Sequence, residues 1–206
     1  MARRTKEEAE QTRKDILQAS LNMFCEKGYT RTTLDDIAKS INLTKGAVYW
    51  YFRNKPDILL ALIQEDLKNT QEKLEKNNPN PKTLEEMKDN FLFLADMVDN
   101  DANFRKLLYF LLFQMEWSVG LVNSFKDTLD EFKSKPINVI KQILIAEQSS
   151  GKIASDVDVN NMTCTIHAVW HGLLTNKLSN QDDVSLRQLA NYSLDFIINA
   201  LTSRKD

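Results

Sequence analysis

An all-α fold, with a small N-terminal three-helix module followed by a larger helical bundle, is what three features of the 206-residue sequence predict. Only 5 Gly and 4 Pro interrupt it. Apolar residues recur at i, i+3 and i+4 through most of its length, and period-two alternation is nowhere sustained. Residues 32–55, TTLDDIAKSINLTKGAVYWYFRNK, read as two short helices folded around a tight turn.

Taken in order, the first helix is expected from Lys6 to Lys27, with Ile16, Leu17, Ser20, Leu21 and Phe24 on its inner stripe. Gly28 ends it, and Tyr29 follows as a packing wedge. Thr33 is placed to cap a second helix whose Leu34, Ile37 and Ala38 share one face, and Ile41 and Leu43 fill the turn after it. Thr44 caps a third helix, in which Val48 and Phe52 sit four residues apart and point inward. A long fourth helix opens at Asn54 or Lys55, with Pro56 in its first turn, where a missing N–H costs nothing. Ile58, Leu59, Leu62, Ile63 and Leu67 give that helix one apolar side. The clearest loop is NNPNPK, residues 77–82. Further helices are expected over residues 83–99, 102–115, 121–148, 159–178 and 185–202, with Pro136 kinking or splitting the segment that contains it.

A charged fraction of 27% beside 42% hydrophobic residues is ordinary for a folded globular chain and excludes wholesale disorder. The net charge of -2 hides an asymmetry. Residues 1–56 carry 11 Lys and Arg against 7 Asp and Glu, whereas residues 57–206 carry 16 against 22. The basic end is the end that holds the two short helices, as an electrostatic footprint for nucleic acid requires. Cys25 and Cys164 lie far apart, have no metal-ligand spacing and are expected as reduced thiols. The first fifteen residues are rich in charge, and the longest apolar run, Leu107 to Phe113, is far short of the roughly 20 residues that span a bilayer. A cytoplasmic protein with no membrane partner is the expectation.

With Val48 and Phe52 inside, Lys45, Gly46, Tyr49, Trp50 and Tyr51 are left on the outer face of the third helix. A helix-turn-helix sets the start of its second helix in the major groove of DNA, which is where Lys45 and Gly46 fall. An ammonium there can donate to guanine O6 or N7, and glycine lets the backbone approach the duplex closely. Thr33 and Thr44 stand at helix N-termini, whose free N–H groups attract phosphate, and Lys55 adds a full charge. Arg3, Arg4 and Lys6 form a basic cluster suited to an arm along the duplex, while Asp35 and Asp36 favour the helix start rather than DNA.

The opening MARRTKEEAEQTRKDILQASLNMFCEKGYTRTTLDDIAKSINLTKGAVYWYFRNKPDIL has a basic start, an amphipathic first helix and a Gly-aromatic turn, then T-x-x-x-I-A, T-K-G-x-x-Y-x-x-F and a closing Lys. In that order of features it resembles the N-terminal domain of the TetR family of transcriptional regulators, most of all the AcrR-type multidrug-efflux repressors. The resemblance covers about the first quarter of the chain, and beyond about residue 65 it is one of helical layout. It implies that Tyr49 contacts the groove and that Thr33, Thr44, Trp50, Tyr51 and Lys55 clamp phosphates. It also implies a DNA-binding domain over residues 1–54 and a ligand-binding and dimerisation domain over 55–206. The implied partners are double-stranded operator DNA, a small-molecule effector and a second copy joined through the last two helices, with neither cofactor nor catalysis.

The segment FRKLLYFLLFQMEWSVGLVNSF, residues 104–125, holds more aromatic residues than one helix face needs. Leu107, Phe110, Leu111, Gln114, Glu116 and Trp117 together suggest an apolar cavity with a few polar anchors. A carboxylate such as Glu116 near aromatic faces favours lipophilic cations. His167 and His171, one turn apart and flanking Trp170, are expected to line a pocket rather than hold zinc, since no third ligand is evident and H-E-x-x-H is absent. Two other readings are a DNA-binding or protein-interaction module that senses no ligand, and a helical enzyme. Neither a Gly-rich phosphate loop nor G-x-S-x-G supports the enzyme.

Overall fold

The helices follow one another with few residues between them, because caps and turn residues stop each one where its apolar stripe ends. The computed structural model describes residues 5–180 and 184–203, so Arg3 and Arg4 lie outside the described residues. The described helices are α1 (Lys6–Lys27), α2 (Leu34–Ser40), α3 (Lys45–Tyr51), α4 (Lys55–Asn77), α5 (Leu84–Asn100), α6 (Ala102–Tyr109), α7 (Val119–Ser124), α8 (Lys126–Ser149), α9 (Val159–Ser179) and α10 (Leu186–Thr202). No strand occurs among the described residues. Contacts divide the chain into two compact units, residues 1–68 with 106–126 and residues 69–105 with 127–206.

In the first unit α1 carries a capping box at Thr5 and Glu8 and ends at Gly28, whose φ of 85° is a left-handed value that a side chain would strain. Its buried Ile16, Leu17, Leu21 and Phe24 are the expected inner stripe. Tyr29 then turns inward, its ring edge-on to Phe24 at 5.1 Å. α1 packs on α2 and α2 on α3. Ile37, Ala38 and Val48 are fully buried, each large side chain contributing roughly 1.5–3 kcal/mol by leaving water. Asn54 caps α4, its Oδ1 accepting the N–H of Asp57 at 2.8 Å.

In the second unit α5, α8, α9 and α10 share a core that includes Phe91, Leu144, Ile166 and Leu194. Asp99 fastens α10 to α5. The Ser185 hydroxyl donates to its carboxylate at 2.8 Å, the N–H groups of Leu186 and Arg187 donate at 3.2 Å, and the Lys177 ammonium lies 3.8 Å away. A carboxylate at a helix N-terminus satisfies N–H groups that the helix itself leaves open and sits favourably in its dipole.

Two expected helices are corrected. The segment 102–115 leaves α geometry at Phe110 and forms a π turn over Phe110–Gln114, where fully buried Phe110 stacks on Phe24 at 5.7 Å. An apolar run without a clear periodic face gives no sign of the extra residue. The segment 121–148 is two helices, and its break falls at buried Phe125 rather than at Pro136, which α8 carries inside it. Proline removes one hydrogen bond, but neighbouring turns with a packed face keep a helix continuous across that loss.

Candidate nucleic-acid interface and ligand cleft

α3 is held from one side only. Val48 is fully buried, Phe52 follows it inward, and the Arg13 guanidinium lies 5.4 Å over the Phe52 ring. Thr44 caps the helix by accepting the N–H of Ala47 at 3.2 Å. The other face is bare: Lys45 and Gly46 are exposed, Tyr49 is 47% exposed and Trp50 is 74% exposed. The Lys45 ammonium stands 5.7 Å from the Tyr49 ring and makes no ion pair among the described residues. Trp50 meets half-buried Tyr51 edge to face at 4.6 Å. A Cβ added to Gly46 would meet only the Thr44 hydroxyl, at 3.9 Å, so the packing of the chain itself does not demand glycine there.

Thr33 accepts the N–H of Asp36 at 3.1 Å and donates its hydroxyl to the Asp36 carboxylate at 2.7 Å. Hydrogen bonds from the Thr33 hydroxyl and backbone, then from Lys27, hold the Asp36 carboxyl below its usual range. Asp35 pairs with Lys39 at 2.5 Å. Both acids therefore serve the start and side of α2. Lys55 has an internal role that its sequence position does not reveal. Its ammonium donates to the carbonyls of Tyr29 at 2.5 Å and Thr30 at 3.0 Å and lies 4.6 Å over the Tyr29 ring, and burial lowers its pKa. Of the expected DNA residues, Thr44, Lys45, Gly46, Tyr49 and Trp50 are exposed at the start and along the outer face of α3, Tyr51 is half-buried at its end, Thr33 caps α2, and Lys55 opens α4 with its ammonium turned onto the carbonyls of Tyr29 and Thr30.

The expected ligand residues fall in two groups. In the first unit Leu107 and Phe110 are buried, Leu111 is half-buried, and the Gln114 amide reaches the carbonyl of Cys25 at 3.4 Å. Trp117 donates its indole N–H to the carbonyl of Leu111 at 3.3 Å and lies edge-on to Phe125 at 6.4 Å. Glu116 and Trp117 line an open cleft of about 340 Å³ with Tyr29, Thr30, Ser118 and Leu121. The Glu116 carboxylate accepts the Thr30 hydroxyl at 3.4 Å. Tyr29 is buried, its hydroxyl has no hydrogen-bond partner among the described residues, and burial pushes its pKa to about 12. In the second unit the rings of His167 and His171 stack at 6.3 Å, and Trp170 packs on Phe91 at 4.9 Å. Burial first and the charge of His171 second lower the His167 pKa. No three His, Cys, Asp or Glu side chains gather into a metal site among the described residues. Nor is any described helix long and apolar enough to cross a membrane. Tyr29, Thr30, Ser118 and Leu121 were not visible as site residues in sequence, since nothing local links a turn at residue 30 to a segment more than eighty residues later.

Residues 16–62 match the model of the bacterial regulatory proteins, tetR family, and residues 80–203 match the C-terminal region of MAATS-type transcriptional repressors. The chain belongs to the TetR family. The second match extends the likeness well beyond the first quarter of the sequence. Regulators of this family bind operator DNA and small-molecule effectors and are not enzymes. Over 192 residues the chain is 29% identical to the probable HTH-type transcriptional regulator ArpR of Pseudomonas putida, covering 90% of this chain and 89% of that one. The fold is shared with NalD, the secondary repressor of the MexAB-OprM multidrug efflux pump in Pseudomonas aeruginosa, at a TM-score of 0.79 and 23% identity over 97% of this chain and 100% of that one. It is shared also with SmeT, the repressor of the Stenotrophomonas maltophilia multidrug efflux pump SmeDEF, whose triclosan complex gives a TM-score of 0.74 at 23% identity over 93% and 92% of the two chains.

Proposed function

We propose that this TetR-family regulator is a homodimeric repressor that holds a palindromic operator of a multidrug-efflux gene and releases it when a small hydrophobic ligand, cationic among others, is bound. The division of labour is residues 1–54 for DNA and 55–206 for ligand and dimerisation. The observation that carries the reading is the bare face of α3. A lysine without an ion pair, a glycine that internal packing does not require and two exposed aromatics stand on a helix whose opposite face is buried. Lys45 and Tyr49 read the groove, and Thr33, Thr44, Trp50, Tyr51 and Lys55 contact phosphates.

Dimerisation has its own support. Tyr192 and Phe196 are 76% and 70% exposed one turn apart on α10, and Ala168, His171 and Gly172 are exposed on α9, which packs beside it. Two adjacent helices with uncovered aromatic and small residues suit a twofold four-helix interface. Efflux control and hydrophobic effectors are carried over from what NalD and SmeT repress and from the triclosan that SmeT binds.

The test is an anisotropy titration of the protein against its own upstream intergenic DNA at fixed salt, with and without cationic dyes and hydrophobic drugs. Palindrome-dependent binding that the compounds relieve is the expected result. Lys45→Ala is expected to weaken that binding by roughly 5- to 150-fold, the loss of one good base contact. Binding no tighter than to random DNA would overturn the operator-reading role, and binding that no compound changes would overturn ligand release.

A further inference from the structure

The cleft beside the turn after α1 is amphipathic in a specific way. One wall is the turn after α1, with Tyr29 and the Thr30 hydroxyl, and the other is residues 116–121, with Glu116, Trp117, Ser118 and Leu121. Its volume of about 340 Å³ falls within the range of small-molecule sites, roughly 300–1,000 Å³. Glu116 is exposed and makes no ion pair among the described residues, so its only bond there is the weak one from Thr30 at 3.4 Å. Half-buried Trp117 stands next to it, fixed by its indole N–H on the Leu111 carbonyl and by its contact with Phe125. Tyr29 also lines the cleft, and the Lys55 ammonium lies 4.6 Å over its ring.

From this geometry we infer that the cleft is a binding site for small organic cations, with the positive centre on Glu116, the apolar body against Trp117 and Leu121, and hydrogen-bonding substituents on Thr30 and Ser118. An unpaired carboxylate supplies charge, and an immobilised indole beside it supplies both apolar area and a negative ring face, a combination that rewards a cation carrying hydrocarbon over a metal ion or an anion. Occupation has a direct consequence for the turn. A cation on Glu116 displaces the Thr30 hydroxyl, and Thr30 belongs to the same turn whose carbonyls hold Lys55 and which leads straight into the Thr33 cap of α2. The cation is thus sensed at the reading head itself. This inference rests on the regulator reading above for its consequence, but not for the binding.

The experiment is isothermal titration of the full chain with tetraphenylphosphonium, and with neutral triphenylphosphine oxide as the uncharged comparison. Wild type is compared with Glu116→Gln, Trp117→Ala and Leu121→Trp, and operator anisotropy is measured alongside. The expected result is binding of the cation in preference to the neutral compound and a loss of about tenfold or more in Glu116→Gln, equivalent to about 1.4 kcal/mol. Leu121→Trp, which fills the cleft without touching the charge, is expected to abolish binding, and it keeps the inference testable if Trp117→Ala fails to fold. Cation affinity unchanged in Glu116→Gln, or no binding to wild type, overturns the site. If wild type and Glu116→Gln both bind operator, and the cation releases both equally, this cleft is refuted while the regulator stands. If neither binds operator specifically, the regulator reading falls while the cation affinities still decide the cleft.

Discussion

Gly46 separates stability from recognition at a single atom. A Cβ there meets only the Thr44 hydroxyl at 3.9 Å, and alanine is about 1 kcal/mol better than glycine inside a helix. Gly46→Ala is therefore expected to raise the melting temperature slightly while operator affinity falls, because in the proposed interface the added methyl faces the duplex rather than the core. Equal or higher affinity in an anisotropy titration would remove Gly46 from the interface. Tyr29 makes the converse case. Its buried hydroxyl has no partner among the described residues, and such a group costs stability while it contributes no bond. Tyr29→Phe should leave stability at pH 7 equal or higher. The raised pKa of about 12 adds a pH signature. Between the ordinary tyrosine value near 10 and 12, the unfolded chain releases the phenolic proton and the folded one keeps it, so wild-type stability falls as pH rises. The phenylalanine variant should lose less over that window in denaturant titrations, and identical pH profiles would show that the burial has no energetic effect. The exposure of Lys45, Tyr49 and Trp50 was legible in sequence because a short helix with two inward positions leaves the others outside by geometry. The double hold of Lys55 on the carbonyls of Tyr29 and Thr30 was not, since it joins residues 25 and 26 positions apart through a turn whose shape only the folded chain defines.

At the scale of the element, α10 is fastened by a residue outside itself. Asp99 of α5 accepts from Ser185, Leu186 and Arg187 and faces Lys177. Burial alone would raise its pKa, but the Ser185 hydroxyl, the two backbone N–H groups and the Lys177 charge outweigh it and hold the carboxyl below its ordinary value. Asp99→Ala is expected to destabilise the chain by about 1–2 kcal/mol, the cost of a lost cap, seen as a lower denaturation midpoint. A depressed carboxylate contributes above its unfolded pKa near 4 and stops contributing as pH falls through the folded value. The gap between wild type and Asp99→Asn should therefore narrow in acid, and a gap independent of pH would assign the effect to packing alone. The end of α1 at Lys27 and the starts of α2 and α3 were readable because Gly28 and the capping threonines are local signals. The π turn and the break at Phe125 were not, because Phe110 is buried against Phe24, 86 positions away, and Phe125 turns back onto Trp117 across a bend that no local turn residue announces.

The whole molecule divides its charge along the chain, with the excess of lysine and arginine at the end that carries α3. Operator affinity should fall steeply with salt, since each neutralised phosphate contributes a slope of about -0.9 to log K against log salt. The proposed dimer interface belongs to the other end of the sequence. Replacing both exposed aromatics of α10, as in Tyr192→Asp with Phe196→Asp, should convert the dimer to a monomer in sedimentation and reduce palindrome binding by about a hundredfold or more, while the buried face of α10 keeps the chain folded. A dimer that survives both changes would move the interface elsewhere. The chain contains 3 tryptophans, and they are spread over three neighbourhoods: Trp50 on the bare face of α3, Trp117 in the cleft and Trp170 against Phe91. The protein is therefore its own fluorimeter. With two of the three changed to phenylalanine in turn, three single-tryptophan variants place the emitter on α3, in the cleft or in the helical core, so the order in which a drug arrives, the turn moves and the operator departs can be compared across three parallel stopped-flow traces without a label.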